Sequence, residues 1–171
     1  MSNLQLISNN TFGSGTNHSI TNCFSSDYDV YKITLVDYDA GGGGANLNMR
    51  FIDGSGVVSD SDYDHSSKII RGYGAFGSSR SKTADLIDAV SYDDTLQVGN
   101  GTVIYVFNPH SSSTYTFAMW ENSSQSTIGT VGRKGVAALH QAVSITGVNF
   151  VIDGSTNFSL EQATVYGLKV D

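Results

Sequence analysis

The string GYGAFG at 72 to 77 has the GxGxxG spacing with which a strand-turn-helix unit cradles a pyrophosphate. That chemistry needs a helix starting on the glycines, so that its free amides meet the phosphates. Here the glycines run into Ser78-Ser79-Arg80-Ser81-Lys82, which has no apolar face, so the expected structure is a glycine-rich loop between strands. Asp60, Asp62 and Asp64 place carboxylates at alternate positions, as the start of a calcium loop does. The EF-hand register then requires glycine at its sixth position and glutamate at its twelfth, where the chain has His65 and Arg71. What remains is a calcium site at a loop junction, recruiting Asp53 or Asp93, set against ordinary turn residues on a solvated face. His18, His65, His110 and His140 lack the i, i+4 spacing of a zinc helix, and Cys23 has no CxxC partner, so no metal cofactor is expected. FGSG at 12 to 15 and DGSG at 53 to 56 lack the GxSxG spacing of a nucleophile elbow and read as turns. Glycoside cleavage needs two carboxyl groups in one cleft. Glu121, Glu161 and any aspartate could supply them, but no spacing selects a pair, so a non-enzymatic protein is expected.

Aromatic side chains are the remaining resource, with nine tyrosines, eight phenylalanines and Trp120. Rings on an exposed sheet face can stack on sugars. Alternation instead puts Tyr31 with Ile33, Phe51 with Met49, Phe117 with Met119 and Phe150 with Val148, which predicts core packing for those rings. Tyr38, Tyr73, Tyr92 and Trp120 are less clearly placed.

The elements that must carry these residues are strands. Leu47, Met49 and Phe51 alternate with Asn46, Asn48 and Arg50, between a flexible Gly41 to Gly44 and the turn Asp53-Gly54-Ser55-Gly56. Tyr31, Ile33 and Leu35 alternate likewise. TVIYVF at 102 to 107, apolar on both faces, predicts a central strand covered on both sides. A long loop then leads to YTFAMW at 115 to 120, and a last pair spans 148 to 152, the polar turn after Asp153-Gly154, and 160 to 170. Shorter candidates lie at 4 to 7, 57 to 63, 67 to 71 and 129 to 138. Only 83 to 90 and 135 to 143 could make a helical turn. The expected fold is an all-β, jelly-roll-like sandwich of about eight to ten antiparallel strands.

Composition agrees. Glycine (19), serine (24) and aspartate (14) are abundant, glutamate (2) is scarce, and charged residues make up 15%, so turn formers dominate over helix formers. A net charge of −7 argues against wrapping a phosphate backbone, so nucleic acid is not an expected partner. No apolar run reaches membrane-spanning length. A single cysteine rules out an internal disulfide. The opening MSNLQLISNN has neither a basic start nor an apolar core, so no signal peptide is expected.

Several strings, taken in order, resemble a family of jelly-roll virion proteins encoded by tailed phages of marine bacteria and cyanobacteria. They are YDVYKITL at 28 to 35, LNMRFIDGSG at 47 to 56, YDH at 63 to 65, GTVIYVFNP at 101 to 109, FAMW at 117 to 120 and ITGVNFVIDGSTNFSLEQATVYGLK at 145 to 169. The likeness runs from about residue 24 to the end and brings no catalytic residues. It implies a virion structural protein on the outer surface of the particle, made in the host cytoplasm. The leading expectation is a capsid decoration or cement protein that docks on the major capsid protein. The alternative is a tail-associated or fibre module that recognises a host glycan through loops near Tyr73, Tyr92, His110 and Trp120. A trimer is expected by analogy with modules on symmetry axes. Residues 1–23 lie outside the likeness and are expected to form an N-terminal docking arm. Its Leu4, Leu6 and Ile7 would add an edge strand to a neighbour, while 24–171 form the sandwich and fold without the arm.

Overall fold

Short segments of alternating polarity, broken every few residues by Gly, Ser, Asn or Asp, favour extended chain over helix. The computed structural model describes residues 3–41, 45–93, 99–153 and 157–169, and every regular element in them is a strand. In chain order these are β1 (Leu4–Gly15), β2 (Asn17–Ile20), β3 (Val30–Asp39), β4 (Ala45–Asp53), β5 (Gly56–Val57), β6 (Tyr63–Arg71) and β7 (Gly77–Ala84). Then follow β8 (Ile87–Asp93), β9 (Gly101–Phe107), β10 (Thr116–Ser126), β11 (Gly129–Leu139), β12 (Ile145–Ile152) and β13 (Phe158–Leu168).

They form an antiparallel β-sandwich. One sheet has eight strands in the order β1, β13, β3, β9, β10, β11, β6, β7. The other has β2, β12, β4 and β5, with β8 also paired to β4. The chain crosses between sheets as two-strand ribbons, and the ribbons lie side by side. β13 and β12 are flanked by β1 and β2 on one side and by β3 and β4 on the other, and β9 and β8 pair in turn with β3 and β4. That rolled path is jelly-roll-like. The turn at Asp53 forms as its residues require: its Oδ1 accepts from the Ser55 amide and hydroxyl, both at 2.7 Å, and from the Gly56 amide at 3.0 Å. The glycines 42 to 44 and the turn at 154 to 156 lie outside the described residues.

Three expectations are corrected. First, the strand count is thirteen among the described residues, because polar segments also pair. GSSRSKTA forms β7 against β6, and both candidate helical turns are extended, as the end of β7 with β8 and as β11. FGSG lies in β1, not in a turn. Second, the described part of the expected arm, residues 3–23, is no free arm. Leu4–Gly15 pairs with β13 of the same chain, Asn17–Ile20 pairs with β12, and Ile20 and Cys23 are buried in the core. Backbone groups on both partner strands are satisfied by this segment, so deleting it would strip each sheet of a strand. Third, β9 is central in its sheet but covered on one face only. Thr102, Ile104 and Val106 are buried, whereas Val103, Tyr105 and Phe107 are half-buried on the outside.

Registration of the strands sorts the eight-stranded sheet into rows. The inner face carries Tyr31, Val106, Ala118 and Ala137 in one row and Ile33, Ile104, Trp120, Gly135 and Ser67 in the next. Packed on these from the second sheet are Leu47, Met49, Phe51, Val148 and Phe150, all fully buried. Trp120 is 1% exposed and its Nε1 donates to the Ala89 carbonyl at 3.2 Å, which removes it from the glycan candidates. A Cβ on the opposite residue, Gly135, would run into the indole, so glycine is what lets the ring lie flat on β11.

Candidate functional site

The outer face of the same sheet departs from the polar surface usual for a monomer. One row reads Leu4, Leu168, Val30, Phe107, Phe117, Ala138, and the next reads Leu6, Tyr166, Lys32, Tyr105, Met119, Val136. Six strands at about 4.8 Å spacing make this stripe about 24 Å wide. Phe117 is 46% exposed, Val136 58% and Leu6 53%. The expectation that Phe117 and Met119 pack in the core is therefore reversed: Ala118 and Trp120 point inward, and Phe117 and Met119 point out. Leu4 and Leu6 belong to this stripe, while Ile7 sits at a register shift between Leu6 and Ser8.

On the inner face, the row beyond Trp120 turns polar: Ile69, Arg133, Asn122, Thr102, Leu35. Here a cleft of about 110 Å³ opens between β8 and strands β6, β10 and β11, lined by Arg71, Tyr73, Tyr92, Asn122 and Arg133 among others. Asn122 is 8% exposed, and neither its Nδ2 nor its Oδ1 has a hydrogen-bond partner. The hydroxyl of Thr102 in the same row is also unpartnered. The guanidinium of Arg133 stands 3.8 Å from Asp88, too long for a hydrogen bond. Burial pushes Arg133 below the ordinary arginine value; Asp88 opposes this and the neighbouring Arg71 adds to it. Tyr73 is fixed by the Ser126 hydroxyl, which bonds its phenol oxygen at 3.0 Å. Thus the GYGAFG string is the β6–β7 loop expected of it, and it supplies one wall of this cleft.

A larger cleft of about 900 Å³ lies toward β1, β3 and β13, with Asp37, Asp39, Asn100 and Glu161 in its lining. Its polar groups serve one another. Asn100 accepts from the Tyr38 amide at 3.0 Å and donates to the Tyr38 carbonyl at 2.6 Å, and Asp39 accepts from the Gly41 amide at 2.7 Å. A hydrogen bond to Asp37, which only the protonated Glu161 can donate, and then the Asp37 charge push the Glu161 carboxyl up.

The other sequence candidates do not converge. His110 is exposed and within 3.2 Å of the Ser144 hydroxyl. Of the three alternating aspartates, Asp62 accepts from Gln141 at 2.6 Å, Asp64 faces His140 at 3.9 Å and Asp60 is exposed. Among the described residues, no three His, Cys, Asp or Glu side chains form a metal-binding group. Tyr73 and Tyr92 alone are brought together. Sequence reasoning missed Arg71, Asn122 and Arg133. The signal was the alternation in WENSSQS, which puts Asn122, Ser124 and Ser126 on the face of Trp120. No protein-family model matches the chain, and no curated protein is similar enough to count as a relative.

Proposed function

We propose that this protein is a non-enzymatic virion structural protein of a tailed phage, a capsid decoration protein that docks on the major capsid protein and stabilises the head shell. The single observation that carries the reading is the apolar stripe on the outer face of the eight-stranded sheet. Contiguous exposed apolar surface of this extent marks an interaction face. Lys32 lies within the second row, and the Lys134–Glu121 ion pair in the row beyond gives the stripe a polar rim of the kind a protein interface has. The order of strings described above supplies the virion context. Stabilisation would follow by mass action, since a partner that binds only the assembled shell lowers the free energy of that state. The docking surface is the stripe, to which Leu4 and Leu6 contribute as side chains rather than as a strand donated to a neighbour. The protomers associate as a homo-oligomer, a trimer matching a symmetry axis of the shell.

The reading is tested by co-sedimentation with expanded heads. Phe117→Glu combined with Val136→Glu is expected to weaken binding at least about tenfold while the melting temperature stays within a few degrees, because both side chains are exposed. Undiminished co-sedimentation of the double variant would sink the proposal.

A further inference from the structure

We propose that the cleft between β8 and strands β6, β10 and β11 binds an acidic sugar residue, with its carboxylate on Arg71 and Arg133 and a hydroxyl on the Asn122 amide. The site lies on the face of the sheet opposite the apolar stripe, so the inference goes beyond shell docking.

The argument starts from Asn122. Its donor and its acceptor are both buried and both unpartnered, and an unmade buried hydrogen bond is costly. A group that accepts from Nδ2 and donates to Oδ1 resolves both at once, and a sugar hydroxyl is such a group. Beside it, two guanidiniums line one cleft of about 110 Å³. Their acidic neighbour Asp88 stands at 3.8 Å from Arg133 and is already bonded by the Ser79 hydroxyl at 3.0 Å. A carboxylate fits the guanidinium fork with two parallel bonds. The rings of Tyr73 and Tyr92 supply apolar walls.

Charge placement points the same way. Lys68, Arg71, Arg80, Lys82, Arg133 and Lys134, six of the nine cations in a chain of net charge −7, sit on the neighbouring strands β6, β7 and β11. Those strands hold one carboxylate, Asp64. An anionic ligand is therefore drawn to this edge of the sheet despite the overall negative charge. The details exclude two neighbours of the proposed ligand. An inorganic sulfate could satisfy the arginines but, having no proton to donate, would leave the Asn122 Oδ1 unpaired. A neutral sugar would satisfy Asn122 but leave both guanidiniums without a hydrogen-bonded carboxylate. The small volume suits one terminal residue with its carboxylate and an adjacent hydroxyl, not a polymer laid along the cleft.

The test is titration of the full chain with sodium digalacturonate, followed by NMR of the Asn122 side-chain amide, beside galactobiose and sodium sulfate at equal ionic strength. The expected result is a saturable shift with digalacturonate alone. Arg71→Ala is expected to weaken it at least about tenfold without loss of folding, since the bond this half-buried side chain makes is a long one, 3.4 Å to the Ala75 carbonyl. Asn122→Leu, followed through the Arg133 Nε–H signal in place of the lost amide, is expected to abolish binding while leaving the melting temperature unchanged or raised. No shift at millimolar digalacturonate, an equal response to galactobiose, an equal response to sulfate, or full affinity in Arg71→Ala would each overturn the proposal.

Discussion

On the outer face of the eight-stranded sheet, Phe117, Met119 and Val136 stand where polar residues usually meet solvent; on its inner face, Arg133, Asn122 and Thr102 stand where core residues usually pack. The two regions are strips of the same strands, and β10 contributes to both. They break the same alternation rule in opposite senses. A sheet that needed only to fold would do neither, because the first leaves apolar surface in water and the second takes polar groups out of it. Departures from local consistency of this kind concentrate at functional sites. The larger acidic cleft makes the contrast sharper. Its Asn100 and Asp39 are hydrogen-bonded within the chain, and among the described residues none of the buried unpartnered polar side chains lines it, although it has eight times the volume. Unsatisfied chemistry, more than size, separates the two.

The contrast between dry and wet rows can be broken by substitution. Trp120→Ala is expected to cost about 3–5 kcal/mol, as loss of a large core ring does. Its inner-face neighbour Asn122→Leu is expected to be neutral or stabilising, because replacing an orphaned amide by an apolar group removes a desolvation penalty. Urea denaturation of both variants checks this. An Asn122→Leu cost as large as that of Trp120→Ala would mean that Asn122 is an ordinary structural residue.

A smaller effect sharpens the same comparison through pH. Burial holds the His65 imidazole below its ordinary 6.5, with Asp88 and then Asp64 pulling the other way, and its Nδ1 lacks a partner. The unfolded chain then takes up a proton before the folded one does as the medium is acidified. Stability contributed by neutral His65 is therefore fully present above pH 6.5, and is lost as pH falls through 6.5 toward the lower folded value. Urea midpoints measured from pH 7.5 to 5 should decline below 6.5, and His65→Gln should flatten that part of the decline. An unchanged slope in His65→Gln would mean that His65, beside Ala137 in the inner face, is not a proton-linked group.

Much of the fold was legible in the sequence because one period governs it. The alternations at Tyr31–Leu35, Leu47–Phe51 and Val148–Phe150 point to the residues that fill the core. Local pattern failed where a strand is polar and held by a partner far along the chain. β1 pairs with β13 more than 140 residues away, and β7 has no apolar side to announce it. Within β10 the period was right and the phase wrong. Phe117 and Met119 are as apolar as Ala118 and Trp120, so hydrophobicity alone could not say which pair faces in. Gly135, opposite Trp120, resolves it only once the register is known. The cleft was legible in Tyr73 and Tyr92 but not in Arg71, Asn122 and Arg133, because the register of the β10–β11 hairpin must be fixed and β6, far back in the chain, laid beside it before those groups meet.

The most direct measurement is the location of the protein on the virion, by difference density between particles that carry it and particles that lack it. The expected result is density over the head shell, with the row from Leu6 through Tyr105 and Met119 to Val136 against the capsid surface and the Arg133 cleft facing away. Density confined to the tail, or a molecule seated on the shell with that row exposed to solvent, would contradict the proposed function.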